Sequence, residues 1–306
     1  MTEVSTYALV AELALLLGGF AYAAVSDLKE REVPDGLWQS LGVLGFFLGY
    51  LGVVSDGAIP ILLWTVVGLF VLQHLFAWDV RLGPSGERYA DLIELVAYVA
   101  VVAVVGVAIA KVGLGAQAVP VAVVGVLVSV LFARGLFEAG ILYGGADAKA
   151  LMIAGLLVPF FPNPLIPPPA AIAPVTQILP FAVNVLMNSA LFSVVVPVAV
   201  AVRNARAGEF HGFGGFVGYS IPVEELPRKY VWVRDPLFGA GREEEDSIQT
   251  SDDDRRRRER IARDLTARGV KRVWVTPQIP FVVVMAVGVV AALVAGNVLF
   301  DLIFRL

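Results

Sequence analysis

Eight stretches of this chain are apolar for long enough to cross a lipid bilayer, and that limits every other inference. They run at about 7–25, 37–54, 59–77, 91–110, 116–134, 142–160, 178–202 and 280–302. A spanning helix needs roughly 17–25 mostly apolar residues at about 1.5 Å of rise each. Composition agrees, with 58% hydrophobic and only 16% charged residues, where soluble domains carry about a quarter charged. The expected fold is an all-α, polytopic membrane helix bundle. Residues 1–202 form its expected embedded core, 203–279 a cytosolic, partly disordered polar insertion, and 280–306 a last transmembrane helix.

Basic residues set the expected orientation. With the N-terminus outside, the short inner loops and their borders carry Lys29, Arg31, Arg81, Arg88, Arg134 and Lys149, against Lys111 and Arg305 outside. Met1-Thr2-Glu3-Val4 supplies no basic region ahead of the first run, which is read as a spanning helix rather than a cleaved signal. Ser55-Asp56-Gly57 joins the second and third runs tightly enough for a hairpin. Pro159-Phe160-Phe161-Pro162 stops the sixth. Within the polar segment, the charge run Gly241–Arg260 is expected to be a solvated, disordered linker, or else a surface for anionic lipid.

Several chemistries are excluded. The chain has no cysteine and two distant histidines, His74 and His211. It therefore has no thiol nucleophile, no disulfide framework, no Cys-based zinc site and no H-E-x-x-H. No metal and no cofactor is expected, and a net charge of −4 gives no reason to expect nucleic-acid binding. Carboxylates remain for hydrolysis.

Two of them stand at helix ends. Asp27 closes the first run and Asp147 opens the sixth, and helix counting puts both at the cytosolic membrane face. Carboxylates near hydrocarbon are costly and default to a functional reading. A close pair shares a proton and its pKa values split. The ionised member then deprotonates water while the protonated one hydrogen-bonds a scissile carbonyl. Taken singly, Asp147 also fits a helix N-cap and Asp27 an interfacial anchor. Gly144, Gly145 and Ala146, read as an active-site loop, favour the functional reading, because consecutive glycines permit close backbone approach.

The string Ser26-Asp27-x-Lys29-x-Arg31-x-Val33-Pro34-x-x-Leu37, followed by Gly144-Gly145-Ala146-Asp147, resembles the type IV prepilin peptidases. It is most similar to the archaeal preflagellin/prepilin kind, intramembrane aspartic enzymes of the G-x-G-D type. Ala146 stands where the written motif has its second glycine. The resemblance covers roughly residues 10–160, so the Pro-rich loop, the polar segment and the last helix are expected to be additions.

The resemblance implies a multi-pass cell-membrane endopeptidase, with Asp27 and Asp147 as its dyad and no methyltransferase activity. Its substrates would be archaellin or pilin precursors, each with a short basic leader ahead of a hydrophobic helix. Lys29 and Arg31 are placed to stabilise ionised Asp27, and Glu30, Glu32 and Asp35 to attract the leader. Glu12, Glu94 and Glu138 are read as structural. Two other readings stand beside it: a presenilin-like protease, whose Pro-Ala-Leu string is absent, and a carboxylate-dependent transporter, whose inverted repeats are not found.

Overall fold

A computed structural model describes residues 3–54, 56–76, 96–107, 110, 118–142, 144–160, 178–233 and 251–305. The chain folds as two compact units. The first comprises Met1–Val25, Val33–Leu191 and Val282–Leu306, and the second Ser26–Glu32 and Phe192–Phe281.

The chain is a multi-pass, helical membrane protein. Among the described residues five helical spans are long and apolar enough to cross a bilayer: Thr6–Glu30, Asp35–Val53, Ala58–Phe76, Val121–Glu138 and Phe181–Ala207. They correspond to α1 (Glu3–Glu30), α2 (Asp35–Val53), α3 (Ala58–Phe76), α5 (Ala118–Glu138) and the consecutive pair α7 (Phe181–Ser193) and α8 (Val195–Ala207). A shorter apolar helix, α4, covers Val96–Val107. The described residues thus show the expected bundle without fixing its count at eight.

Small residues make the close packing. The α2–α3 hairpin forms as expected, with Trp64 Nε1 donating to Phe46 O at 2.9 Å across it. Gly42, Gly45 and Gly49 line one face of α2, where an added Cβ would meet Leu75, Leu157 and Trp64 respectively. Apolar surface gains little from association inside lipid, so such small-residue stripes let van der Waals contact do the work instead.

The sixth apolar run is shorter than its hydropathy suggests. Its helix, α6, spans Gly145–Leu157 and has 13 residues, about 20 Å long against a hydrocarbon core of about 30 Å. Every residue from Ala148 to Leu157 is buried. The helix ends ahead of Pro159, as the sequence predicts. Residues 161–177, including the Pro-rich loop, lie outside the described residues.

The last run is bent. Its two parts, α11 (Phe281–Ala295) and α12 (Val298–Arg305), meet at 54° around Gly296 and Asn297. Backbone groups freed inside a membrane need new partners, and Asn188 of α7 supplies them. Asn188 Nδ2 donates to Gly296 O at 2.8 Å, while its Oδ1 accepts from Val298 N at 2.9 Å. Asn297 Nδ2 donates to Asn184 Oδ1 at 3.0 Å, and its own Oδ1 caps Phe300 N. Asn188→Leu strands both a carbonyl and an N–H, and should cost about 1–3 kcal/mol. Thermal unfolding in detergent reads this as a lowered midpoint, and an unchanged midpoint would show that the bend does not depend on Asn188.

The second unit holds a small polar domain. A four-residue helix, α9 (Gly214–Val217), leads into a three-stranded antiparallel sheet in the order β1 (Tyr219–Pro222), β3 (Arg272–Pro277), β2 (Val231–Val233). A 3₁₀ helix over Val223–Arg228 and α10 (Ser251–Ala267) complete it around Ile221, Val223, Leu226, Leu265, Val273 and Val275. The disordered linker expected over 241–260 is corrected from Ser251 onward, and 241–250 lie outside the described residues. Two features explain the helix: same-face ion pairs Asp254–Arg258 and Asp264–Arg268, and a partly apolar face of Ile261, Ala262 and Leu265.

Candidate active site

Asp147 sits in the first turn of α6, three residues past the N-cap, so it is not itself the cap. That place belongs to Gly144, with φ −96° and ψ 127° and no side-chain cap. Gly144 O accepts from Asp147 N at 3.1 Å and from Ala148 N at 3.4 Å. The expected loop of Gly144, Gly145 and Ala146 is therefore corrected: Gly145 and Ala146 already belong to the helix, because the turn closes directly onto Gly144. The carboxylate folds back over Gly144. A Cβ there would lie 2.8 Å from Asp147 Oδ2 and 3.3 Å from its Cγ. Asp147 remains partly exposed, at the end of a helix where the dipole favours negative charge.

Lys149, two residues on, points away from Asp147 because i and i+2 occupy different helix faces. Its Nζ meets Asp35 Oδ1 at 2.6 Å, with the lysine side chain 3% exposed and the aspartate 45%. The pair ties the start of α6 to the start of α2. Removing Asp35 would leave the buried Lys149 ammonium without this partner, so the contact helps to fix the turn that carries Asp147. From sequence alone Lys149 is only a basic residue bordering a loop and Asp35 a leader-attracting charge. A lysine inside an apolar run was the available signal for a buried partner.

Asp27 lies in the second unit, in the last turn of α1, and is 8% exposed. Its carbonyl accepts from Arg31 N at 3.1 Å. Arg31 then turns the chain with a left-handed φ of 57°, a conformation that costs a non-glycine residue about 1–3 kcal/mol. Ser26 Oγ donates to Glu32 O at 2.7 Å and closes the turn. Tyr230 OH reaches Lys29 O at 3.5 Å. The guanidinium of Arg31 stands 5.1 Å over the Tyr230 ring. Lys29, Glu30 and Glu32 are exposed.

Glu12 and Glu138, two of the acids read as structural, have different neighbours. Glu12 lines an apolar cavity of about 210 Å³ with Ala8, Gly49, Trp64 and Leu156. Glu138 pairs with Arg134 at 2.6 Å, and Glu94 lies outside the described residues. His74 is buried, with Nδ1 2.8 Å from Phe70 O and Nε2 2.6 Å from Tyr98 OH. Among the described residues no three His, Asp or Glu side chains are grouped to hold a metal.

Fold and sequence together define a multi-pass helical membrane protein, and the family model that matches it is a peptidase model. Residues 213–298 match the archaeal peptidase A24 C-terminus, type II. Over 272 residues the chain is 23% identical to the preflagellin peptidase of Methanocaldococcus jannaschii, covering 87% of this chain and 85% of that protein. No solved structure matches. The two matches bear out the resemblance to archaeal preflagellin/prepilin peptidases. They also overturn the expectation that the polar segment and last helix are additions to the family pattern, since those are the residues the family model describes.

Proposed function

We propose that the chain is an aspartic endopeptidase that removes a short basic leader from archaellin- or pilin-like precursors at the cytosolic membrane face. The observation that carries this reading is the pairing of the peptidase relationship with two prepared aspartates. One is buried in the last turn of an apolar helix, and the other is folded over a glycine in the first turn of another.

In this reading Asp27 and Asp147 titrate as one pair, with macroscopic pKa values that belong to both. The ionised carboxylate takes a proton from water, and the protonated one hydrogen-bonds the scissile carbonyl. Proton transfer to the leaving amine completes hydrolysis with no covalent intermediate. An outside N-terminus brings both aspartates to the inner face, where a leader ahead of a membrane helix crosses the interface.

The test is cleavage of a precursor by the purified chain in liposomes, read as the mass of the released leader. Cleavage that stops when a chelator is added, or no cleavage of any such precursor, would overturn the assignment.

The exposed acids Glu30 and Glu32 are assigned to attract the basic leader. Glu30→Lys with Glu32→Lys should lower kcat/KM by roughly 5–10-fold, with the deficit shrinking as salt screens the charges. An unchanged kcat/KM at low salt would leave these acids as ordinary loop charges.

A further inference from the structure

The second unit joins the Asp27 turn to the polar domain through one ring. Tyr230 stands immediately before β2, and its carbonyl accepts from Gln278 N at 3.0 Å. Gln278 Nε2 donates to Asp254 Oδ2 at 3.1 Å. Asp254 pairs with Arg258, whose guanidinium lies 5.4 Å from the centre of the Tyr230 ring. The circuit closes on itself and fixes the ring within the domain. Asp254 and Arg258 are 8% and 4% exposed, so the circuit is buried as well as closed.

Arg31 uses the same ring, at 5.1 Å. Nε and Nη1 of Arg31 and Nε of Arg258 are buried and make no hydrogen bond among the described residues. An aromatic π-face is the partner such guanidinium edges accept. Two cations therefore converge on one tyrosine, one from the domain and one from the turn that follows Asp27. Arg31 is four residues from Asp27 and donates its backbone N–H to the Asp27 carbonyl. A shift of Arg31 is transmitted through that last helical turn.

We infer that Tyr230 is a positioning residue for Asp27, and that the polar domain is the brace that sets the end of α1. The inference rests on the proposed peptidase reading. It gives the domain a role in the reaction without contact with substrate. It also explains why Arg31 holds a left-handed backbone at a position where glycine would be cheaper.

The experiment compares the full-length chain in liposomes with Tyr230→Ala, Tyr230→Phe, Arg31→Met and the double variant of Tyr230→Ala with Arg31→Met. Misplacing a reacting group by about 1 Å costs up to about 100-fold. Tyr230→Ala and Arg31→Met should each lower kcat by roughly 10–100-fold while KM stays within about twofold. The double variant should be no slower than the worse single, because both remove the same contact. Tyr230→Phe keeps the π-face and should retain kcat within about threefold.

Arg31 lies outside the sheet, so Arg31→Met carries the test if Tyr230→Ala fails to accumulate. Wild-type kcat in Arg31→Met, losses confined to KM, or losses that multiply in the double variant would each overturn the inference. Asp27→Asn is run in parallel. If that variant still cleaves, the aspartic reading of Asp27 fails and the brace with it; if it is inactive and Arg31→Met is not impaired, only the brace fails.

Discussion

Asp27→Asn and Asp147→Asn should each lower precursor cleavage by about 10³-fold or more, with the protein still accumulating in the membrane. Each substitution keeps the side-chain shape and replaces the titratable carboxyl with an amide that neither gives nor takes the proton. General acid–base catalysis contributes about 10²–10⁴-fold, and groups acting as a unit lose most of their joint effect when either is removed. Folding should survive. Asp147 is partly exposed in a first helical turn, where losing a negative charge near the helix N-terminus costs about 0.3–1 kcal/mol. Asp27 is buried, but asparagine fits its volume. Mass spectrometry of the processed precursor, with immunoblotting of membranes, measures both quantities. More than a tenth of wild-type cleavage in either variant would remove that aspartate from the catalytic pair.

Gly144→Ala should be nearly as damaging, for a purely steric reason. The backbone at Gly144 has φ −96° and ψ 127°, which alanine adopts freely. The obstacle is the Asp147 carboxylate, 2.8 Å from where the new methyl would sit. That distance is short for carbon against oxygen, so Asp147 must swing to another rotamer. The expected result is a loss of roughly 100-fold in kcat with little change in KM or in unfolding midpoint. Gly18→Ala is the control, because nothing lies within 4 Å of a Cβ there, and it should cleave at the wild-type rate. Full activity in Gly144→Ala would mean that the carboxylate works from a different position.

Much of this was legible in the sequence because it depends on local rules. Long apolar runs predict the spans, Gly57 predicts the α2–α3 hairpin, and Pro159 predicts where α6 stops. The unusual contexts of Asp27 and Asp147 single them out with no structure at all. Three features were hidden by their dependence on distant partners. The charge run looked like a linker because its polarity masks the Ile261, Ala262 and Leu265 face, which matters only once a sheet exists to receive it. That sheet pairs Tyr219–Pro222 with Arg272–Val275, about fifty residues apart, too far for a single hairpin turn to announce the pairing. The Lys149–Asp35 pair joins residues 114 apart, and several acids were equally available to a lysine in an apolar run. The bend at Gly296-Asn297 did have a signal, an amide interrupting hydrocarbon residues, but its meaning depended on Asn184 and Asn188.

The brevity of α6 also bears on how the protein is made. A helix of 13 residues with an aspartate and a lysine among its first five is a poor substrate for lateral release into lipid by the insertion machinery, since hydrocarbon rejects both its length and its charges. Its packing partners α2, α3 and α5 all precede it in the chain and leave the ribosome first. Asp35 is likewise waiting when Lys149 emerges. The segment that carries Asp147 therefore joins three helices made before it, and it docks on them while α7, α8, α11 and α12 are still to come.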